Sequence, residues 1–271
     1  MLRISKNLYV HILTVVLFAV CFFTGRLKEI VIVYSVMTLH EAAHMAAALI
    51  IGLKVSYMAF FPFGVNLKLK NKLVRSAADE IILYAAGPLC NAVLALLAML
   101  FYKYRPIYDV QYFYIANTIL FAVNLLPAVP LDGGIIVKKV LICTAGVHCA
   151  QTVTKAVTLF IALALILLGG YTVYVSHFNF SVLLLAVLII GNMFTQKEKY
   201  NIDYVREMMF YRNKSKKRTD IKIVNENASS YEVSKLFRPD RYSLVFRLDA
   251  AGRVKNIQSE TEIIDNMLKN N

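Results

Sequence analysis

Ile30-Val31-Ile32-Val33-Tyr34-Ser35-Val36-Met37-Thr38-Leu39-His40-Glu41-Ala42-Ala43-His44-Met45-Ala46-Ala47-Ala48-Leu49-Ile50-Ile51 sets two histidines and a glutamate inside a long apolar run. As a helix rising about 1.5 Å per residue, this stretch is long enough to cross a bilayer. Histidines four residues apart then stack one turn apart on one face. The glutamate beside them lies within reach of a water on a shared metal ion. Ionisable groups at such depth cost at least about 2.5–3.5 kcal/mol each and are functional by default. The stretch points to a zinc hydrolase whose chemistry runs inside a membrane.

The rest of the chain has the composition such a protein needs. Its 271 residues are 58% hydrophobic with a mean hydropathy of +0.57, which excludes an ordinary soluble domain. Apolar runs recur at about 8–25, 30–51, 78–101, 110–130, 153–175 and 180–195, so six membrane helices are expected. No small-residue cleavage site follows the first run, which therefore reads as a retained helix. Cys21, Cys90, Cys143 and Cys149 lack CxxC spacing and read as small packing residues in a reducing compartment.

The net charge of +13 is placed unevenly. Residues 1–196 carry 14 basic and 6 acidic groups, residues 197–219 carry 8 and 3, and residues 220–271 carry 8 and 8. Excess positive charge in loops and after the last apolar run fits anionic lipid head groups rather than nucleic acid. Lys68, Lys70, Lys72 and Arg75 mark one cytoplasmic loop, Lys138, Lys139 and Lys155 a second, and Lys197 to Arg218 a third segment. Both termini are then cytosolic, and His40 lies about 18 Å from the cytoplasmic end of its helix.

Three segments between these landmarks bear on the chemistry. Residues 55–70 are too short to span; Pro62-Phe63-Gly64 marks a turn, and Val65, Leu67 and Leu69 alternate with Asn66, Lys68 and Lys70. A membrane-apposed β-hairpin is expected there, with an edge able to bind an extended substrate as a further strand. In Gly87-Pro88-Leu89-Cys90-Asn91 the small residue favours close helix approach, and Asn91 is a buried polar group needing a partner. Asp79 and Glu80 read as interfacial charges.

The fourth apolar run ends in Asn124-Leu125-Leu126-Pro127-Ala128-Val129-Pro130-Leu131-Asp132-Gly133-Gly134, where two prolines interrupt the helix. Asp132 is the sole carboxylate between Asp109 and Glu198. A catalytic zinc site needs a third protein ligand and leaves one position for water. Asp132 is the choice for that ligand, beside His40 and His44, with Glu41 as general base. The same buried set read without metal describes an ion or proton transporter, the alternative from another functional class.

Beyond 196 the chain changes character. Residues 197–218 form a basic linker, and 219–271 read as a small α+β module of order βαββα. Strands are expected at 220–224, 242–248 and 253–257, with helices at 230–237 and 260–268. So small a module should pair or dock on the membrane domain (1–196, catalytic core about 30–140) to bury its core.

The motifs His40-Glu41-x-x-His44, Gly87-Pro88-x-x-Asn91 and Asn124-Leu125-Leu126-Pro127-x-x-Pro130-Leu131-Asp132-Gly133-Gly134 together resemble the site-2 proteases, peptidase family M50. Within it, the chain looks most like the stage IV sporulation protein FB group, in which the C-terminal module is a CBS domain. The resemblance implies one Zn²⁺ held by His40, His44 and Asp132, catalysis by Glu41, and Asn124 as a substrate-positioning or oxyanion residue. It further implies a membrane-tethered sigma factor precursor as substrate during sporulation and membrane proteins as regulators. The location implied is the cell or forespore outer membrane. ATP at paired CBS-like modules of two chains also follows from it.

Overall fold

The computed structural model describes residues 2–5, 8–62, 64–69, 77–176, 181–195, 218–234, 236–237, 241–249 and 252–269. Lys70, Lys72, Arg75, residues 177–180, and 197–217 of the basic linker lie outside them. The chain divides into two compact units, Met1–Leu126 with Leu131–Ile136, and Pro127–Pro130 with Val137–Asn271.

The first unit opens with strands β1 (Leu2–Ser5) and β2 (Leu8–Val10), followed by helix α1 (Ile12–Phe23). The apolar run at 8–25 is thus a strand end and a helix of 12 residues, too short alone to cross a bilayer. Two or three alternating residues do not stand out from the apolar run that follows them. That is why the N-terminal strands escape a periodicity reading.

Helix α2 (Leu27–Ile50) carries the histidine pair. It stops where Gly52 turns to φ +83°, with Gly52 N–H bonded to Leu49 O and Leu53 N–H to Ala48 O. Those two bonds close a Schellman cap, and Leu53 packs back on Ala48. The hairpin expected at 55–70 forms as β3 (Val55–Phe61) and β4 (Gly64–Leu69), antiparallel with Met58 opposite Leu67 and Phe61 opposite Gly64. β2 joins β3 in parallel, giving a sheet of order β1-β2-β3-β4 with β4 at an edge. Tyr34 ties the sheet to α2 by donating its hydroxyl to Phe61 O at 2.7 Å.

Helices α3 (Ala77–Tyr104), with Pro88 inside it, and α4 (Tyr108–Leu125) complete the unit, together with the start of α5 (Asp132–Ala145). Asp79 and Glu80 fall in the first turn of α3, where negative charge meets the positive end of the helix dipole. Helix α5 was not expected as an element, since Lys138 and Lys139 remove it from any apolar scan.

The second unit contains α6 (Val147–Ser176) and α7 (Ser181–Thr195), then the C-terminal module. Three helical stretches among the described residues are long and apolar enough to cross a membrane: Leu27–Ile50, Ala77–Tyr104 and Cys149–Val175. Asp109, Gln111, Asn117 and Asn124 dilute α4, and α7 has 15 residues. Leu96, Leu97, Leu163 and Leu167 stand exposed on α3 and α6, a surface suited to lipid rather than water.

The module follows the expected order: β5 (Arg218–Asn225), α8 (Ser230–Ser234), β6 (Arg241–Leu248), β7 (Val254–Ser259) and α9 (Glu260–Lys269). β5 pairs with β6 in parallel and β6 with β7 antiparallel. Ser-x-x-Glu capping boxes start both helices. Ser229 N–H bonds Glu232 Oε2 at 3.1 Å, Ser259 N–H bonds Glu262 Oε2 at 3.0 Å, and each serine Oγ takes the glutamate N–H. The core of the module, Val233, Phe237, Val245, Ile263 and Ile264, is completed by Ile142 of α5 and Ala150 of α6. A module too small to bury its own core has docked on the α5–α6 turn.

Candidate metal centre

The spacing of His40 and His44 on α2 puts their imidazoles together, both buried and 4.7 Å apart between ring centroids. Asp132 is the first residue of α5, directly after the proline break, and is also buried. Three atoms converge: His40 Nε2 and His44 Nε2 lie 3.1 Å apart, and Asp132 Oδ2 lies 3.1 Å from the first and 3.3 Å from the second. Among the described residues these three form the one cluster of His, Cys, Asp and Glu ligand atoms close enough to share a metal ion.

The outer nitrogens fix what the inner ones can do. His40 Nδ1 lies 3.0 Å from Asn91 Oδ1, and His44 Nδ1 lies 2.7 Å from Leu83 O. Both partners are acceptors, so both Nδ1 atoms carry the proton and, in neutral imidazoles, both Nε2 atoms present lone pairs. Two such nitrogens and a carboxylate oxygen facing one another suit a bound cation. A tetrahedral zinc ion with bonds of about 2.0–2.1 Å spaces its ligands by about 3.3–3.4 Å. The observed separations fit that edge length.

Helix α3 makes room for the cluster. A Cβ on Gly87 would lie against His44 Nε2 and 2.7 Å from His40 Nε2, inside the space the three ligands share. Gly87 is buried, and so is Pro88. Glu41 is half-buried next to both histidines, and its carboxylate takes a hydrogen bond from the backbone N–H of Leu67 on edge strand β4. The hairpin therefore meets the site at the glutamate.

All four residues expected to carry the chemistry are thus brought together. Asn124 sits half-buried in the last turn of α4. The sequence reading missed Leu83 and Leu67, since both act through backbone atoms that any side chain would supply. It marked Asn91 as needing a partner, and that partner is His40.

Comparison with known proteins bears on this arrangement. The family model described as peptidase family M50 matches residues 102–169, which include Asp132 and its proline break. Stage IV sporulation protein FB of Bacillus subtilis (strain 168) is 23% identical over 210 residues, covering 77% of this chain and 72% of that one. In fold, the chain is similar to the site-2 protease from Methanocaldococcus jannaschii at a TM-score of 0.53 and 19% identity. That match covers 70% of this chain and 90% of the other. Motifs, family match and fold agree in the likeness they give: the chain is similar to the site-2 proteases of peptidase family M50.

Proposed function

We propose that this chain is an intramembrane zinc endopeptidase that hydrolyses a peptide bond of a membrane-associated protein near the cytosolic face. The observation that carries the reading is the convergence of His40 Nε2, His44 Nε2 and Asp132 Oδ2, buried and spaced for a tetrahedral ion, with Glu41 beside them. His40, His44 and Asp132 hold the zinc. When bound, the ion supplies Lewis acidity toward the scissile carbonyl and toward water. Glu41 is the general base: its carboxylate takes a proton from the attacking water and returns it to the leaving amine. The hydrogen bond from Leu67 N–H fixes one side of that carboxylate. The spacing for a tetrahedral ion favours hydrolysis over the transport reading.

The free edge of β4 runs past Glu41, so an extended substrate added to that edge would deliver its backbone to the base. Cytosolic termini remain the orientation that the loop charges support. The division into a membrane domain to 196, a basic linker of 197–218 and a CBS-like module from 219 belongs to the same reading. The sporulation relative supports a sigma factor precursor as substrate, with membrane regulatory proteins as partners. Nothing singles out Asn124 beyond its motif, and it stays a weak substrate contact in this proposal.

Co-expression with candidate precursors from the same genome, read by product size, tests the function. Glu41→Gln should abolish cleavage while the purified protein keeps about one zinc per chain. Continued processing by that variant would overturn the mechanism.

A further inference from the structure

We propose that Asn91 is a positioning residue for the metal centre, acting through His40 rather than on substrate. The inference rests on the reading of His40, His44 and Asp132 as metal ligands. Leu83, Gly87 and Asn91 recur every fourth residue of α3, so they lie on one face of that helix. Each serves the histidine pair differently. The Leu83 carbonyl accepts from His44 Nδ1, Gly87 leaves the space the ligand atoms occupy, and the Asn91 carboxamide oxygen accepts from His40 Nδ1. The stripe sets both imidazole tautomers at once, each with its Nε2 lone pair toward Asp132.

Only one of these three contacts depends on a side chain with a specific chemistry. His44 is held by a backbone carbonyl that any residue at 83 provides. His40 is held by Asn91, which is completely buried. Its Nδ2 has no hydrogen-bond partner among the described residues, so the amide is used for its oxygen alone. A buried donor without an acceptor disfavours asparagine there on stability grounds. An apolar residue of equal size would pack without that cost. What it would lack is the acceptor that orients His40, and outer-shell acceptors of this kind govern metal affinity.

The competing role is simple helix–helix adhesion, in which the Asn91–His40 bond joins α2 to α3 regardless of metal. The two roles separate in a zinc titration. Wild-type protein, Asn91→Leu, Asn91→Ala and Asn91→Asp are purified in detergent and stripped of metal. Zinc affinity is measured by competition with a chromophoric chelator, along with the rise in Tm on adding zinc and the visible spectrum with cobalt(II). Asn91→Leu and Asn91→Ala should bind zinc about 10–100-fold more weakly and show an altered cobalt spectrum. Asn91→Asp, which keeps an oxygen acceptor, should retain the wild-type affinity.

If Asn91→Leu and Asn91→Ala match the wild type in affinity and cobalt spectrum, the positioning role is wrong. It is also wrong if Asn91→Asp loses zinc as fully as they do. Asn91→Ala removes the acceptor without adding bulk, so misfolding of the leucine variant leaves the test intact. Wild-type protein that binds no zinc would instead defeat the proposed function.

Discussion

His40 Nε2 lies 3.1 Å from His44 Nε2, and each ring has its other nitrogen committed to an oxygen acceptor, on Asn91 and on Leu83. Facing lone pairs repel unless a cation lies between them, so this spacing ties the stability of the site to metal. Stripping the protein with a strong chelator should lower its Tm, and stoichiometric zinc should restore it. Asp132→Asn removes the one ligand that balances the ion's charge, so bound zinc should drop well below one per chain by elemental analysis. An unchanged zinc content in that variant would remove Asp132 from the site.

Gly87 makes a steric prediction. Alanine at an interior helix position is favoured over glycine by about 1 kcal/mol, so Gly87→Ala should be benign on propensity alone. Here its methyl would enter the space shared by His40 Nε2 and His44 Nε2. We expect Gly87→Ala to remain helical by circular dichroism, to lose zinc and to lose cleavage. Gly170→Ala on α6 is the control, because a Cβ there meets nothing within 4 Å. A Gly87→Ala protein with full zinc content would show that α3 can retreat from the site.

Much of this was legible from residues alone, and the exceptions share a cause. His40, Glu41, His44 and Asp132 announced themselves because ionisable groups in apolar runs demand a reason. The hairpin at 55–70 was legible through alternation, and the βαββα module through its order of short strands and helices. What stayed hidden depends on backbone atoms or on clearance. The Leu83 carbonyl and Leu67 N–H have no side-chain signature, and Gly87 matters through the atom it lacks. Helix α5 was hidden differently, since Lys138 and Lys139 break the apolar pattern that marks the other membrane-domain helices.

Strand β4 offers a test of how Glu41 is held. Leu67, opposite Met58 in the hairpin, bonds the Glu41 carboxylate through its backbone N–H. Leu67→Pro removes that donor on an edge strand, where proline is tolerated. A base that has lost its orienting contact should give up part of the 10²–10⁴-fold that general-base catalysis typically contributes, so kcat should fall about 10–100-fold. Zinc content should stay the same, and Leu67→Ala, which keeps the N–H, should cleave at nearly the wild-type rate. Wild-type turnover by Leu67→Pro would show that the contact is incidental.

Ile142 of α5 and Phe237 of the C-terminal module share one buried cluster with Val233, Val245 and Ile263. Both side chains are essentially inaccessible, at 2% exposure each. Truncation should therefore be costly, about 2–5 kcal/mol for Ile142→Ala and about 3–5 kcal/mol for Phe237→Ala. The informative quantity is their coupling. If the module relies on the α5–α6 turn to complete its core, the double variant should deviate from additivity by about 0.5–3 kcal/mol, as contacting residues do. Denaturant unfolding in detergent, followed by pulse proteolysis of the module, supplies the four stabilities. Strict additivity would mean that the module holds its fold without Ile142. Substantial coupling would mean that residues 219–271 draw part of their stability from Ile142 of α5.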